Sequence, residues 1–246
     1  IPVRDVNVVQ WAMREAYRVA KTGRPGPVVV DLYRDVVENQ KAEYTPADPE
    51  EYCYIPEMAA SPGSLKKAAK LIKAAEKITI WAGNGVKLSG ASSEVEELSR
   101  ILNAPVVTTY NGMCAVDGSF ENLLGPRSRH GSKVTRAAIE EADLDIVIGS
   151  SLTAVSTNRW DLKPGKIIQF DLIPENIGRQ YPAACGIIGD AKASLRELTE
   201  LLKEEKTVKA DDFLKDMLQR KETWRKELFS GPIADEESSP VPPVAF

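Results

Sequence analysis

Chemistry in this chain would begin at a glycine-spaced turn. The run Lys77-Ile78-Thr79-Ile80-Trp81 reads as a strand and leads straight into Ala82-Gly83-Asn84-Gly85-Val86-Lys87-Leu88-Ser89-Gly90, with a helix-like segment behind it. Glycines at such a junction let backbone amides approach an anion, so the order suits a phosphate cradle for a nucleotide. The dinucleotide fingerprint also needs a third glycine, and an acidic residue about 20 positions on, at the end of the second strand. Leu88 stands at the third glycine position, and the second strand ends Val107-Thr108-Thr109 without a carboxylate. Two descriptions stay open with equal weight: the first turn of a nucleotide site, or a tight strand-to-helix turn that holds nothing.

Later strand ends add candidates. Lys166-Ile167-Ile168-Gln169-Phe170-Asp171 puts a carboxylate at the carboxyl edge of a strand, where open α/β sheets bind ligands. Asp171 suits a ribose or adenine contact; its plain alternative is capping of the Pro174 turn. Gly149-Ser150-Ser151-Leu152 is a strand end of small residues that permits close approach to the backbone. Leu124-Gly125-Pro126-Arg127-Ser128-Arg129-His130-Gly131 precedes a helix start, where free amides and two arginines would attract an anion. His130 is the only histidine, and a lone histidine is more often packing or surface than acid–base machinery. The chain contains no G-x-S-x-G, P-loop, HExxH or kinase signature, and no acid–base pair at a defensible spacing. No catalytic residue and no metal ligand is assigned.

These candidates need a sheet to carry them. From Ser61 onward, strands alternate with helices. Ser61-Pro62 reads as a helix start, with a hydroxyl at the N-cap and Leu65, Ala68, Ala69, Ile72 and Ala75 as the buried stripe. Strand 78–81, helix 92–102, strand 105–109, an irregular stretch 111–131 and helix 132–142 follow. Strands 145–149, 166–171 and 186–189 come next, and Asp190 caps a helix to about 202. Val- and Ile-rich strands separated by helices predict an open parallel α/β sheet of about six strands, covered by helices on both faces. Ahead of it, residues 5–20 read as an amphipathic helix and Pro27–Leu32 as a strand; one helix and one strand cannot make a core. The division predicted is 1–39 as the last αβ unit of a preceding domain, 40–60 as linker, 61–205 as the central domain, and 206–246 as a helix and connector. Trp160 and Trp224 are read as core or interdomain packing.

Bulk properties exclude other classes. The 246 residues are 43% hydrophobic, enough for one large core or two smaller ones. A net charge of −4 without a basic stripe argues against a nucleic-acid partner. No apolar run is long enough for a membrane helix, and the start lacks a signal peptide's apolar region. Three widely spaced cysteines read as thiols of a reducing compartment, hence a cytoplasmic protein. The start has no methionine and the end reads as mid-linker, so the chain is expected to be a piece of something longer.

Lined up, the segments resemble the thiamine-diphosphate-dependent enzymes of the acetolactate synthase and pyruvate oxidase type. Gly23-Arg24-Pro25-Gly26-Pro27-Val28-Val29-Val30-Asp31-Leu32-Tyr33-Arg34-Asp35-Val36 is similar to the close of their pyrimidine-binding domain. Ala82–Val86, Ala104–Gly112, Ala142–Gly149, Ile168–Gly178 and Ile188–Lys192 resemble successive strands and turns of their central domain. The resemblance implies a parent acting on 2-oxo acids, with thiamine diphosphate and Mg²⁺ bound by segments outside this chain. It implies a homo-oligomer whose remaining domains are this chain's partners. In some relatives the central domain holds FAD as a structural piece, in others an adenine nucleotide, in others nothing. Carried over by position, FAD would touch Gly83, Gly85, Thr108, Gly125, His130, Gly131, Gly149, Asp171, Ile173, Gly189 and Asp190. Two departures bear on FAD: Ser151 stands where flavin-binding relatives often have arginine, and Gly125–Gly131 replaces a Gly-Met-x-Gly-Met-His-Gly loop. The family's catalytic glutamate and its Gly-Asp-Gly…Asn segment do not occur here, so the chain alone is expected to be inactive. The rival readings are a free-standing nucleotide- or flavin-binding module and an NAD-dependent deacetylase- or transhydrogenase-like enzyme; the latter lacks a zinc-cysteine set.

Overall fold

The computed structural model describes residues 1–38, 40–48, 51, 58–127, 131–205, 207 and 209–229. The chain forms two compact units, Ile1–Glu57 and Met58–Phe246.

In the first unit, β1 (Pro2–Val3) pairs in parallel with β2 (Asp31–Leu32). The strand predicted from Pro27 is paired only at its last two residues, because its one partner is two residues long. Helix α1 (Val9–Lys21) forms as its 3–4 spacing dictates. Only Ala12 and Ala16 of its apolar stripe are buried, while Trp11, Met13 and Tyr17 are exposed. A two-stranded sheet offers no layer to cover the rest. A short helix, α2 (Arg34–Glu38), follows β2.

The second unit runs α3 (Pro62–Ala74), β3 (Ile78–Ala82), α4 (Asn84–Ser89), α5 (Ser92–Leu102), β4 (Val106–Thr109), β5 (Leu123–Arg127), α6 (Lys133–Glu140) and β6 (Leu144–Ile148). It continues with β7 (Lys166–Asp171), β8 (Ala183–Ile188), α7 (Ala191–Glu204) and α8 (Asp212–Phe229). Its six strands form one sheet in the order β5-β4-β3-β6-β7-β8, and every pairing is parallel. Alternation along β3 explains the two cores. Ile78, Ile80 and Ala82 join the core with α3, α5 and α7. Trp81 points to the other core, with Val134, Ala138 and Ile139 of α6 and Met217 of α8. Both faces are therefore covered, as expected of a parallel α/β sheet.

Local signals succeed where one residue decides the geometry. Asp190 caps α7, its Oδ1 accepting the Ala193 amide at 3.0 Å. Ser61 sits at the α3 N-cap in extended conformation, but its hydroxyl makes no capping bond; Ser64 Oγ instead donates to the Ser61 carbonyl at 2.7 Å. Strand β5 lies inside the stretch predicted as irregular, and it carries Gly125 and Pro126. They are tolerated since β5 is an edge strand. Lys221 of α8 donates to the Leu123 carbonyl of that strand at 2.6 Å. Strand β8 starts at Ala183, earlier than its apolar run suggested. Trp160 is half exposed and so is not core, which leaves interdomain packing of the two readings, whereas Trp224 packs against the second core. Cys114 and Cys185 are free thiols, and among the described residues no helix is long and apolar enough to cross a membrane.

Candidate functional site

Strand β3 has β4 on one side and β6 on the other, so the chain order reverses there. That junction at the carboxyl edge is where an open α/β sheet parts to receive a ligand. Here three glycines fill it. The Gly83 amide donates to the Ile148 carbonyl at 2.8 Å and the Gly85 amide to the Gly149 carbonyl at 3.0 Å. A Cβ on Gly83 would lie 2.3 Å from Gly149 O, and one on Gly85 2.6 Å from Gly149 Cα. Gly149 itself sits at φ +60. The close approach that these small residues permit is taken by their own backbones. Helix α4 behind the turn is only six residues long.

The neighbouring strand ends are also tied down. After β4, Thr109 Oγ1 accepts the Gly112 amide at 3.1 Å, and a Cβ on Gly112 would lie 2.8 Å from the Ala82 carbonyl oxygen. Thr108 is buried. After β7, the Asp171 carboxylate accepts the Ile173 amide at 2.9 Å and the Asn176 side chain at 3.1 Å. It caps the turn at Pro174 with both oxygens. The Gly189 amide donates to the Asp171 carbonyl at 3.2 Å and the Asp190 amide to the Met58 carbonyl at 2.7 Å. A Cβ on Gly189 would lie 2.7 Å from that same Met58 oxygen.

Gln169 in β7 escaped the sequence reading, although it is the one polar side chain in an otherwise apolar strand centre. It is buried, donates to the Ser150 carbonyl at 3.2 Å and the Asn176 carbonyl at 3.0 Å, and accepts the Gly178 amide at 3.0 Å. It clamps the loop after β6 to the loop after β7.

Gly83, Gly85 and Gly149 thus form one contact, and Asp171, Ile173, Gly189 and Asp190 line the edge beyond it. Gly125 stands apart inside β5, at φ +115 with open space where a Cβ would go. Gly131 precedes α6, whose N-cap Ser132 accepts the Thr135 amide at 3.1 Å. Ser128, Arg129 and His130 lie outside the described residues.

Arg127, at the end of β5, is buried. Burial, and then repulsion from Arg136, pushes its guanidinium below the ordinary arginine value, with Glu140 and Asp161 opposing. Arg136 binds Glu140 at 2.9 Å and Asp161 at 3.0 Å, so the four side chains balance in charge. At the opposite edge, Asp145 is fully buried. Burial, with Asp143 adding to it, raises its pKa well above the ordinary carboxylate value. One of its oxygens accepts the Gly165 amide at 3.0 Å and the other has no partner.

No group of acidic, histidine or cysteine side chains among the described residues could hold a metal ion. Two cavities stand out among the described residues. One of about 630 Å³ is lined by Met13, Tyr17, Val36, Val37 and Tyr44 in the first unit. The other, of about 390 Å³, lies between α6 and α8.

Residues 65–198 match the family described as thiamine pyrophosphate enzyme, central domain. The chain is 35% identical to a probable acetolactate synthase large subunit of Methanocaldococcus jannaschii, over 99% of its own length and 41% of the relative's. It is 33% identical to a probable acetolactate synthase large subunit of Methanococcus aeolicus, over 94% and 40%. With the acetolactate synthase large subunit of Haemophilus influenzae it shares 31% identity, over 91% and 39%. The chain spans about two fifths of the length of these relatives.

Proposed function

The chain belongs to the thiamine pyrophosphate enzymes and carries their central domain, and on that premise we propose that it serves a cytoplasmic, homo-oligomeric parent of the acetolactate synthase kind. Such a parent joins or decarboxylates 2-oxo acids. The observation that carries this reading is the family match across most of the second unit, with relatives more than twice as long. Thiamine diphosphate, when bound, supplies the carbanion-stabilising chemistry, and the protein supplies orientation and electrostatics. The residues present do not fit that group. The sequence has no Gly-Asp-Gly…Asn segment for Mg²⁺ and diphosphate, and the described residues hold no metal-ligand cluster. No step of the reaction is therefore assigned to them.

The sheet acts as a rigid block to which the other domains attach. Supporting this, the first unit exposes Trp11, Met13, Tyr17 and Tyr44 around an open cavity, a face suited to burial against the remaining domains of the same enzyme. The test is an assay of this chain with thiamine diphosphate, Mg²⁺ and pyruvate, following release of CO₂ and formation of acetolactate. The expected result is no turnover. Turnover by this chain alone would overturn the placement of the active site elsewhere.

A further inference from the structure

We infer that the carboxyl edge of this sheet is a self-closed joint that takes neither FAD nor an adenine nucleotide, unlike nucleotide-holding sheets of similar order. This rests on the family reading above and narrows what the domain does within it.

A diphosphate needs free backbone amides or unspent cations, and a backbone N–H makes one good hydrogen bond. The amides of Gly83, Gly85, Gly112, Gly149, Ile173 and Gly189 are all donated to groups of this chain, at 2.8 to 3.2 Å. Four of the six acceptors are backbone carbonyls, and the others are Thr109 Oγ1 and Asp171 Oδ1. The directions in which a ligand would meet Gly83 and Gly85 are filled by Gly149 at contact distance. That leaves no gap at the point where the strand order reverses. The carboxylates on this edge act locally: Asp171 caps its own turn and Asp190 caps α7. Arg127, at the end of β5, feels Arg136, Glu140 and Asp161, whose charges and its own sum to zero, and its buried Nε makes no hydrogen bond. At the glycine junction an incoming diphosphate would have to break these bonds before making its own.

The test uses the full chain as purified. Its absorbance between the near ultraviolet and the blue is read before and after acid release. Thermal unfolding is then followed with added FAD, with added ADP and with neither. The expected protein is colourless, releases no flavin, and unfolds at one temperature in all three conditions. Stoichiometric flavin, or a saturable rise in Tm with either ligand, would overturn the inference while leaving family membership standing. G85A separates the two roles of the turn. A joint predicts a lower Tm that is the same with and without nucleotide. A cradle predicts in addition that G85A abolishes a ligand-induced rise in Tm seen with wild type, which would overturn the inference.

Discussion

The Gly85 amide donates to the Gly149 carbonyl at 3.0 Å, and a Cβ on Gly149 would lie 2.5 Å from Gly85 Cα. Two strand ends remote in sequence therefore meet backbone to backbone, and each is glycine because the other is there. Substituting Gly149 with alanine adds a clash to a left-handed backbone. Overpacking costs about 1–3 kcal/mol, and the left-handed conformation about 1–2 kcal/mol more. G149A is expected to lower the urea midpoint by more than G118A, since Gly118 has open space around it.

Gln169 is expected to matter more than its lack of chemistry suggests. Q169L removes the partner of two buried carbonyls and one amide, and unmade buried hydrogen bonds cost about 1–3 kcal/mol each. Q169E should fare no better at neutral pH, because a carboxylate cannot donate to the Ser150 and Asn176 carbonyls. Chemical denaturation of both variants checks this; a Q169E protein as stable as wild type would show that the clamp is not needed.

Asp145 should impose a pH dependence. Its folded pKa is raised above the ordinary 3.8, chiefly by burial. For a raised carboxylate the native state holds the extra proton. The stability it contributes is full below the unfolded pKa and is lost as pH rises through the folded one. D145N keeps the shape without the titration. The difference in unfolding free energy between wild type and D145N is expected to move against wild type as pH rises above the ordinary carboxylate range. A difference that stays flat would remove Asp145 as the source.

The tryptophans divide sharply. Trp81 is fully buried and Trp11 is 54% exposed. W81A should cost about 3–5 kcal/mol, and W11A no more than about 0.5 kcal/mol in this chain. Iodide should quench Trp11 and Trp160 fluorescence far more than that of Trp81. W81F should be milder than its lost volume implies, because the buried Trp81 Nε1 has no hydrogen-bond partner to lose.

Much of the fold was legible because one-residue rules applied. The stripe Leu65, Ala68, Ala69 and Ile72 fixed α3, and the apolar run at Ile78 fixed β3. Strand β5 was not legible, since Gly125 and Pro126 signal a turn unless one knows the strand lies at an edge. At the carboxyl edge, glycine spacing announced that something approaches Gly83 and Gly85 closely. It could not say what, because Gly149 reaches them only through the pairing of β3 with β6. Gln169 was missed for a similar reason: its partners sit on loops that only the folded sheet brings to it.

The guarded border at β5 has a consequence for how such a module lives inside a larger polypeptide. Pro126 has no amide to offer a newcomer, and Lys221 already occupies the Leu123 carbonyl. Foreign strands arriving during synthesis or crowding find no template to zip onto along this side. Growth of the sheet outward is hindered there, which favours contact through helices and loops on that side. One border of the sheet is thereby guarded against edge-to-edge pairing.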